Sequence, residues 1–186
     1  MSLLSPHEMT RILSLILLLG ATLQVRAQGL GFNEYKVKAA FLYNFAKFVD
    51  WPPGTFANPN DPIVICVVGQ NPFGSALENM VQGKKIGGRS FAVRLLPDTQ
   101  QAGSCQILFI GAGEWKRTPA LLDALKGEAI LTVGETDDFT GLGGLVGFRL
   151  EGPRVRIQIA LDSAERTKLR ISSKLLSLAE IVKGQP

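Results

Sequence analysis

Few side chains in this sequence are placed to do chemistry. Cys66 and Cys105 are its two cysteines. Glu135, Asp137 and Asp138 form an acidic group after a predicted strand. Carboxylates at the carboxyl end of a parallel strand could hold Mg²⁺ or Ca²⁺; the reading favoured here is solvated loop acids capping a short helix. Gly69–Gly74 follows a strand and opens a helix, in the outline of a phosphate loop. It lacks the Gly-Lys-Ser/Thr ending that contacts phosphate and magnesium, and the three-glycine dinucleotide pattern. It reads as a tight turn that Asn71-Pro72 initiates. Gly111-Ala112-Gly113 is a weaker case of the same kind. Ser173 beside Lys174 is no dyad, because neighbouring helix residues point about a hundred degrees apart. The one histidine is His7, so beyond it the chain has no imidazole base or ligand. No catalytic residue, metal or cofactor is expected.

His7 lies in a segment read as targeting sequence. His7 and Arg11 give a mildly basic start, Ile12–Leu19 is apolar but for Ser14, and Val25-Arg26-Ala27 fits a signal-peptidase site. Residues 1–27 are therefore expected to be a secretory signal peptide cleaved after Ala27, and 28–186 one α/β domain. The apolar run is shorter than the ~20 residues a membrane span needs, and no membrane span is expected in the mature chain. The formal charge is +4; losing Arg11, Arg26 and Glu8 lowers it by one unit. That is too weak and too dispersed to argue for nucleic acid. In an exported chain Cys66 and Cys105 are disulfide candidates, with two separate buried thiols as the alternative.

The elements that must position these groups follow from periodicity. Glu34–Val49 repeats as a helix, with Phe41, Phe45, Phe48 and Val49 on one face and Lys36, Tyr43 and Lys47 opposite. Ile63–Val68 reads as a strand buried on both faces, Phe73–Val81 as a helix, and Ser90–Leu96 and Cys105–Ile110 as strands. Thr118-Pro119 begins a helix that Gly127 ends, and Ala129–Val133 is a fourth strand. Leu145–Leu150 and Val155–Leu161 flank the turn 151–154 as a half-exposed antiparallel hairpin. Asp162 and Glu165 suggest a capping box, and Ser172–Val182 a closing amphipathic helix capped by Ser172. The order predicts a three-layer α/β sandwich with a mostly parallel sheet and an antiparallel edge hairpin. Cys66 and Cys105 then fall on strands that are usually neighbours.

Lys38 is the odd residue. It lies inside the apolar face of the first helix, where a charge is unexpected. Three readings are open: it pairs with Glu34 four residues before it, it snorkels outward, or it marks a partner or ligand cleft. The aromatic face with Trp51 reads first as core.

Residues Tyr35–Pro52, including Lys38, Phe41, Asn44, Phe45, Lys47 and Trp51, resemble the N-terminal signature of the YfiR/HmsC family of bacterial periplasmic proteins. Ile65–Gly69 with Asn71–Gly74, Cys105–Ile110, Leu131–Gly134 and Leu169–Ala179 follow the same pattern in collinear order. The resemblance implies a periplasmic regulatory binding protein that represses an inner-membrane diguanylate cyclase through its periplasmic sensor domain, controlling cyclic-di-GMP and biofilm formation. It implies a second partner, an outer-membrane lipoprotein that sequesters the repressor, and a homodimer. Cys66 and Cys105 match one bridged pair of the family; a second pair has no counterpart here. No catalytic residue transfers. The alternative reading is a periplasmic small-ligand receptor using a strand-end cleft near Gly69, Asn71, Gly111 and Gly134.

Overall fold

The structure is a computed structural model and describes residues 34–184. The predicted signal peptide, its cleavage point at Ala27 and His7 lie outside the described residues. Helix α1 spans 34–48 and passes directly into the short strand β1, Val49–Asp50. Its apolar side (Ala39, Leu42, Phe45, Ala46) is buried, while Lys36 and Lys47 are exposed. Of the face expected from the sequence, Phe45 and Val49 are buried and Phe41 and Phe48 partly so, while Tyr43, expected opposite, packs against the same core.

Seven strands form the main sheet, in the order Phe91–Leu96 (β3), Ile63–Val68 (β2), Ile107–Ile110 (β4), Leu131–Gly134 (β5), Val146–Glu151 (β6), Arg154–Ala160 (β7) and Glu180–Val182 (β9). β2 (Ile63–Val68) is buried at every position, so both faces of the sheet are covered there. The chain leaves β2 through α2 (Ala76–Val81) to β3 (Phe91–Leu96) on one side. It then moves to β4 (Ile107–Ile110) on the other side of β2, and through α3 (Thr118–Asp123) to β5 (Leu131–Gly134). β2 to β6 are mutually parallel. β6 (Val146–Glu151) and β7 (Arg154–Ala160) form the antiparallel hairpin.

Two apolar clusters sandwich this sheet. On one face α1 and α2 pack over Ile65, Val67, Phe109 and Val133. On the other, Leu121, Leu122 and Leu125 pack over Cys66, Leu108 and Ile110. This is the three-layer α/β arrangement expected. The reversal of strand order between β2 and β4 opens their carboxyl-end loops against each other, the usual position of a binding site in such sheets.

The C-terminal part differs from expectation. The predicted closing helix ends after one turn, α5 (Ser173–Leu176), which Ser172 does cap by accepting from Leu175 N. The chain then forms β9 (Glu180–Val182), parallel to β7. β7 is therefore not the edge of the sheet, and Ile157 to Ala160 are buried on both sides. Leu178, an apolar residue of the predicted helix, is 67% exposed. The β-branched pair Ile181-Val182 and the unpaired backbone of β7 outweigh helical periodicity here. Gln158 donates to Glu180 at 2.8 Å across the join. Asp162 forms no capping box with Glu165; α4 (Leu161–Arg166) has Ala160 at its N-cap. The Asp162 carboxylate instead accepts from Gly184 N at 3.0 and 3.1 Å and ties down the end of β9. That bond holds the Asp162 carboxyl below its usual range. A second small sheet pairs β1 with β8 (Arg170–Ile171).

Candidate functional site

The strand-end turns are built by short-range geometry. Gly69 ends β2 at φ +79°, a backbone that side chains rarely adopt. Asn71 then accepts from Phe73 N at 2.9 Å and donates to Gly74 O at 3.0 Å, an Asx turn that delivers the chain to α2. Glu114, in the β4–α3 connection, lies directly against Gly69; a Cβ there would sit 2.2 Å from its Oε1. Arg117 holds that carboxylate at 2.9 Å. The Phe139 ring packs on Gly134, and the Glu135 carboxylate lies beside Gly111. Side chains of the protein therefore occupy the space beside Gly69, Gly111 and Gly134.

Glu135, one residue beyond β5, is the centre of the arrangement. Lys38 donates to its Oε2 at 2.5 Å, Tyr35 to its Oε1 at 3.1 Å, and Ala112 N to its Oε1 at 3.0 Å. Lys38 also bonds to Glu34. The Lys38 side chain is 4% exposed and that of Glu135 6%. Their charges are thus removed from water and satisfied by each other, by the phenol and by a backbone amide. The Lys38 ammonium lies 4.8 Å from the Tyr35 ring centroid, a cation–π contact. Burial, reinforced by the Glu135 carboxylate, holds the Tyr35 phenol above its ordinary range. The network joins α1 to the ends of β4 and β5, across 97 residues of sequence between Lys38 and Glu135.

Of the three readings of Lys38, pairing with Glu34 is realised, and sequence reasoning missed its second partner, Glu135. The sequence pattern groups Glu135 with Asp137 and Asp138 as loop acids or metal ligands. Among the described residues no three His, Cys, Asp or Glu side chains gather as a metal site. The remaining signature residues are mostly packing groups. Phe45 is fully buried and Phe41 half-buried, each about 6 Å from Phe148 on β6. Trp51 donates to Gln106 O at 3.3 Å, just before β4. Lys47 lies over the Tyr43 ring, and Asn44 is half-exposed. Sequence reasoning also passed over Trp115, which is 61% exposed.

Cys66 and Cys105 form a disulfide, with Cα atoms 5.9 Å apart and both residues buried. It joins the interior of β2 to the segment just before β4.

A family model described as YfiR/HmsC-like matches residues 35–180. The chain belongs to the YfiR/HmsC-like family. The match begins at Tyr35, in the network, and covers Lys38, Ala112 and Glu135. The family is regulatory and non-catalytic, and its members act in the periplasm in cyclic-di-GMP signalling. The family match supports a regulator of this general kind. Among the described residues no helix is long and apolar enough to cross a membrane.

Proposed function

We propose that this chain represses an inner-membrane diguanylate cyclase by binding the cyclase's periplasmic sensor domain. The family match over 35–180 is the observation that carries the reading. The geometry is in keeping with it. The Glu135 carboxylate is engaged by Lys38, Tyr35 and Ala112 N, which suits a fixed scaffold better than proton transfer. The two segments the network joins each present an apolar side chain to solvent, Val37 (38% exposed) on α1 and Trp115 on the β4–α3 connection. A rigid frame presenting exposed aliphatic and aromatic groups suits protein recognition. Repression follows if the chain binds the inactive arrangement of the sensor domain more tightly than the active one. Export by the 1–27 signal peptide, sequestration by an outer-membrane lipoprotein and a homodimeric state belong to the same reading.

The test uses the mature chain from Gln28, captured with its partners from the native cell envelope, alongside cellular cyclic-di-GMP. The expected result is recovery of a membrane cyclase with a periplasmic domain, and a rise in cyclic-di-GMP on deletion of the gene. Trp115→Ala with Val37→Asp should lose the cyclase while melting like the parent. Unchanged cyclic-di-GMP on deletion, or no cyclase recovered with well-expressed chain, overturns the proposal.

A further inference from the structure

One groove among the described residues lies away from the strand-end turns. It lies on the sheet face opposite α1, between α3, the start of β5 and α4, with a volume of about 390 Å³. Leu122, Leu125 and Ile130 form its buried floor, and Leu142 closes one side. None of the residues lining it is aromatic. One wall is polar: the buried Ser163 hydroxyl donates to Gly143 O at 3.4 Å and accepts from Arg166 Nη2 at 2.9 Å.

Charge on this wall is uneven. Arg166 makes no ion pair among the described residues. The nearby Asp162 carboxylate is engaged by Gly184 N. On the opposite rim Lys126 and Asp123 neutralise each other at 2.7 Å. The groove therefore offers an aliphatic floor and, at one end, a guanidinium that acts on the Asp162 carboxylate through space without a direct ion pair. Pockets of this size, mostly apolar with a few placed polar groups, hold small ligands. The absence of rings to stack on favours an aliphatic body over an aromatic one, and an oriented guanidinium favours a carboxylate head.

We propose that this groove binds a small aliphatic carboxylate, with Arg166 and Ser163 at the head group and Leu122, Leu125, Ile130 and Leu142 around the chain. The site lies across the sheet from Val37 on α1, and it does not depend on the cyclase reading.

The experiment is calorimetric titration of the purified, disulfide-intact chain with octanoate, and with octanol as the uncharged analogue. The expected result is saturable one-to-one binding of octanoate with Kd below about 1 mM, and binding of octanol weaker by about tenfold. Arg166→Gln should erase the difference between the two probes, and Leu142→Trp should abolish binding of both by filling the groove. Melting curves confirm that each variant is folded. No saturation with octanoate, equal affinity for octanol in the parent chain, or an unchanged preference in folded Arg166→Gln overturns the proposal.

Discussion

Replacing Lys38 by Met keeps the length of the stem and removes the cation. In the parent that ammonium is buried between Glu34 and Glu135. Removing one member of a buried pair costs about 3–5 kcal/mol, because the other charge stays desolvated without its partner. Two features place this case at the lower end. Glu135 keeps its bonds from Tyr35 and Ala112 N, and Glu34, with its side chain 21% exposed, can turn to water. The expected loss is about 3 kcal/mol. For a domain of this size each kcal/mol shifts the melting temperature by about 2–4 °C, so the drop should be about 6–12 °C. The assay is thermal and urea unfolding of Lys38→Met, Glu135→Gln and the double variant, with the disulfide intact. Removing both charges leaves no orphan, so the double variant should lie within about 1 kcal/mol of the milder single variant. That gives a coupling energy of about 3 kcal/mol. A loss below about 1 kcal/mol in Lys38→Met, or strictly additive variants, would refute the claim that this pair anchors α1 to the strand ends.

Three further predictions follow from other parts of the frame. The Cys66–Cys105 bridge spans 39 residues of sequence, so Cys66→Ala with Cys105→Ala should cost about 4 kcal/mol in urea unfolding on the chain-entropy model; a loss under about 1 kcal/mol contradicts it. The Phe139 ring is held between Gly134 and Gly144, with both added-Cβ distances near 2 Å (2.2 and 2.1 Å). Gly134→Ala should therefore destabilise by about 1–3 kcal/mol, since the ring cannot retreat, and a melting temperature equal to the parent's would show that it can. The folded-state ionisation of Tyr35 is raised, so the unfolded chain loses this proton first. Stability should fall as pH rises through about 10, the ordinary phenol value. Melting temperatures between pH 9 and 11 should decline less steeply in Tyr35→Phe; equal slopes would remove Tyr35 from the network's alkaline response.

The parts of the fold legible in the sequence are those fixed by local pattern. Ile63–Val68 is an unbroken apolar run and forms β2 over the same residues, because a strand covered on both faces leaves no polar position to blur its ends. Two differences arise where a partner distant in sequence decides the outcome. Residues 177–182 carry helical periodicity, yet the unpaired edge of β7, some twenty residues earlier, takes them as a strand. Asp162 has the spacing of a cap, yet its carboxylate goes to Gly184. Local reasoning assigns such residues to the nearest available role, and the structure assigns them to the strongest one.

The network around Glu135 was half legible on the same grounds. A lysine inside an apolar helical face is itself a signal. Burying an ammonium without a counter-charge costs several kcal/mol, so a carboxylate must meet it. Glu34 satisfies the spacing rule but sits in the outermost turn described, with its side chain still partly exposed, and alone it would not hold Lys38 at 4% exposure. The second acid must come from elsewhere in the chain. Helix α1 packs on the sheet, and acids that reach a sheet-facing lysine leave from strand ends. Glu135 directly follows the fully buried β5, whereas Asp137 and Asp138 are further out on the loop. Reading the buried cation and the strand-end acid as one requirement, rather than as a helix oddity and a loop cluster, would have joined them. What the sequence does not contain is the direction of α1 across the sheet, and that direction decides whether Tyr35 and Ala112 complete the site.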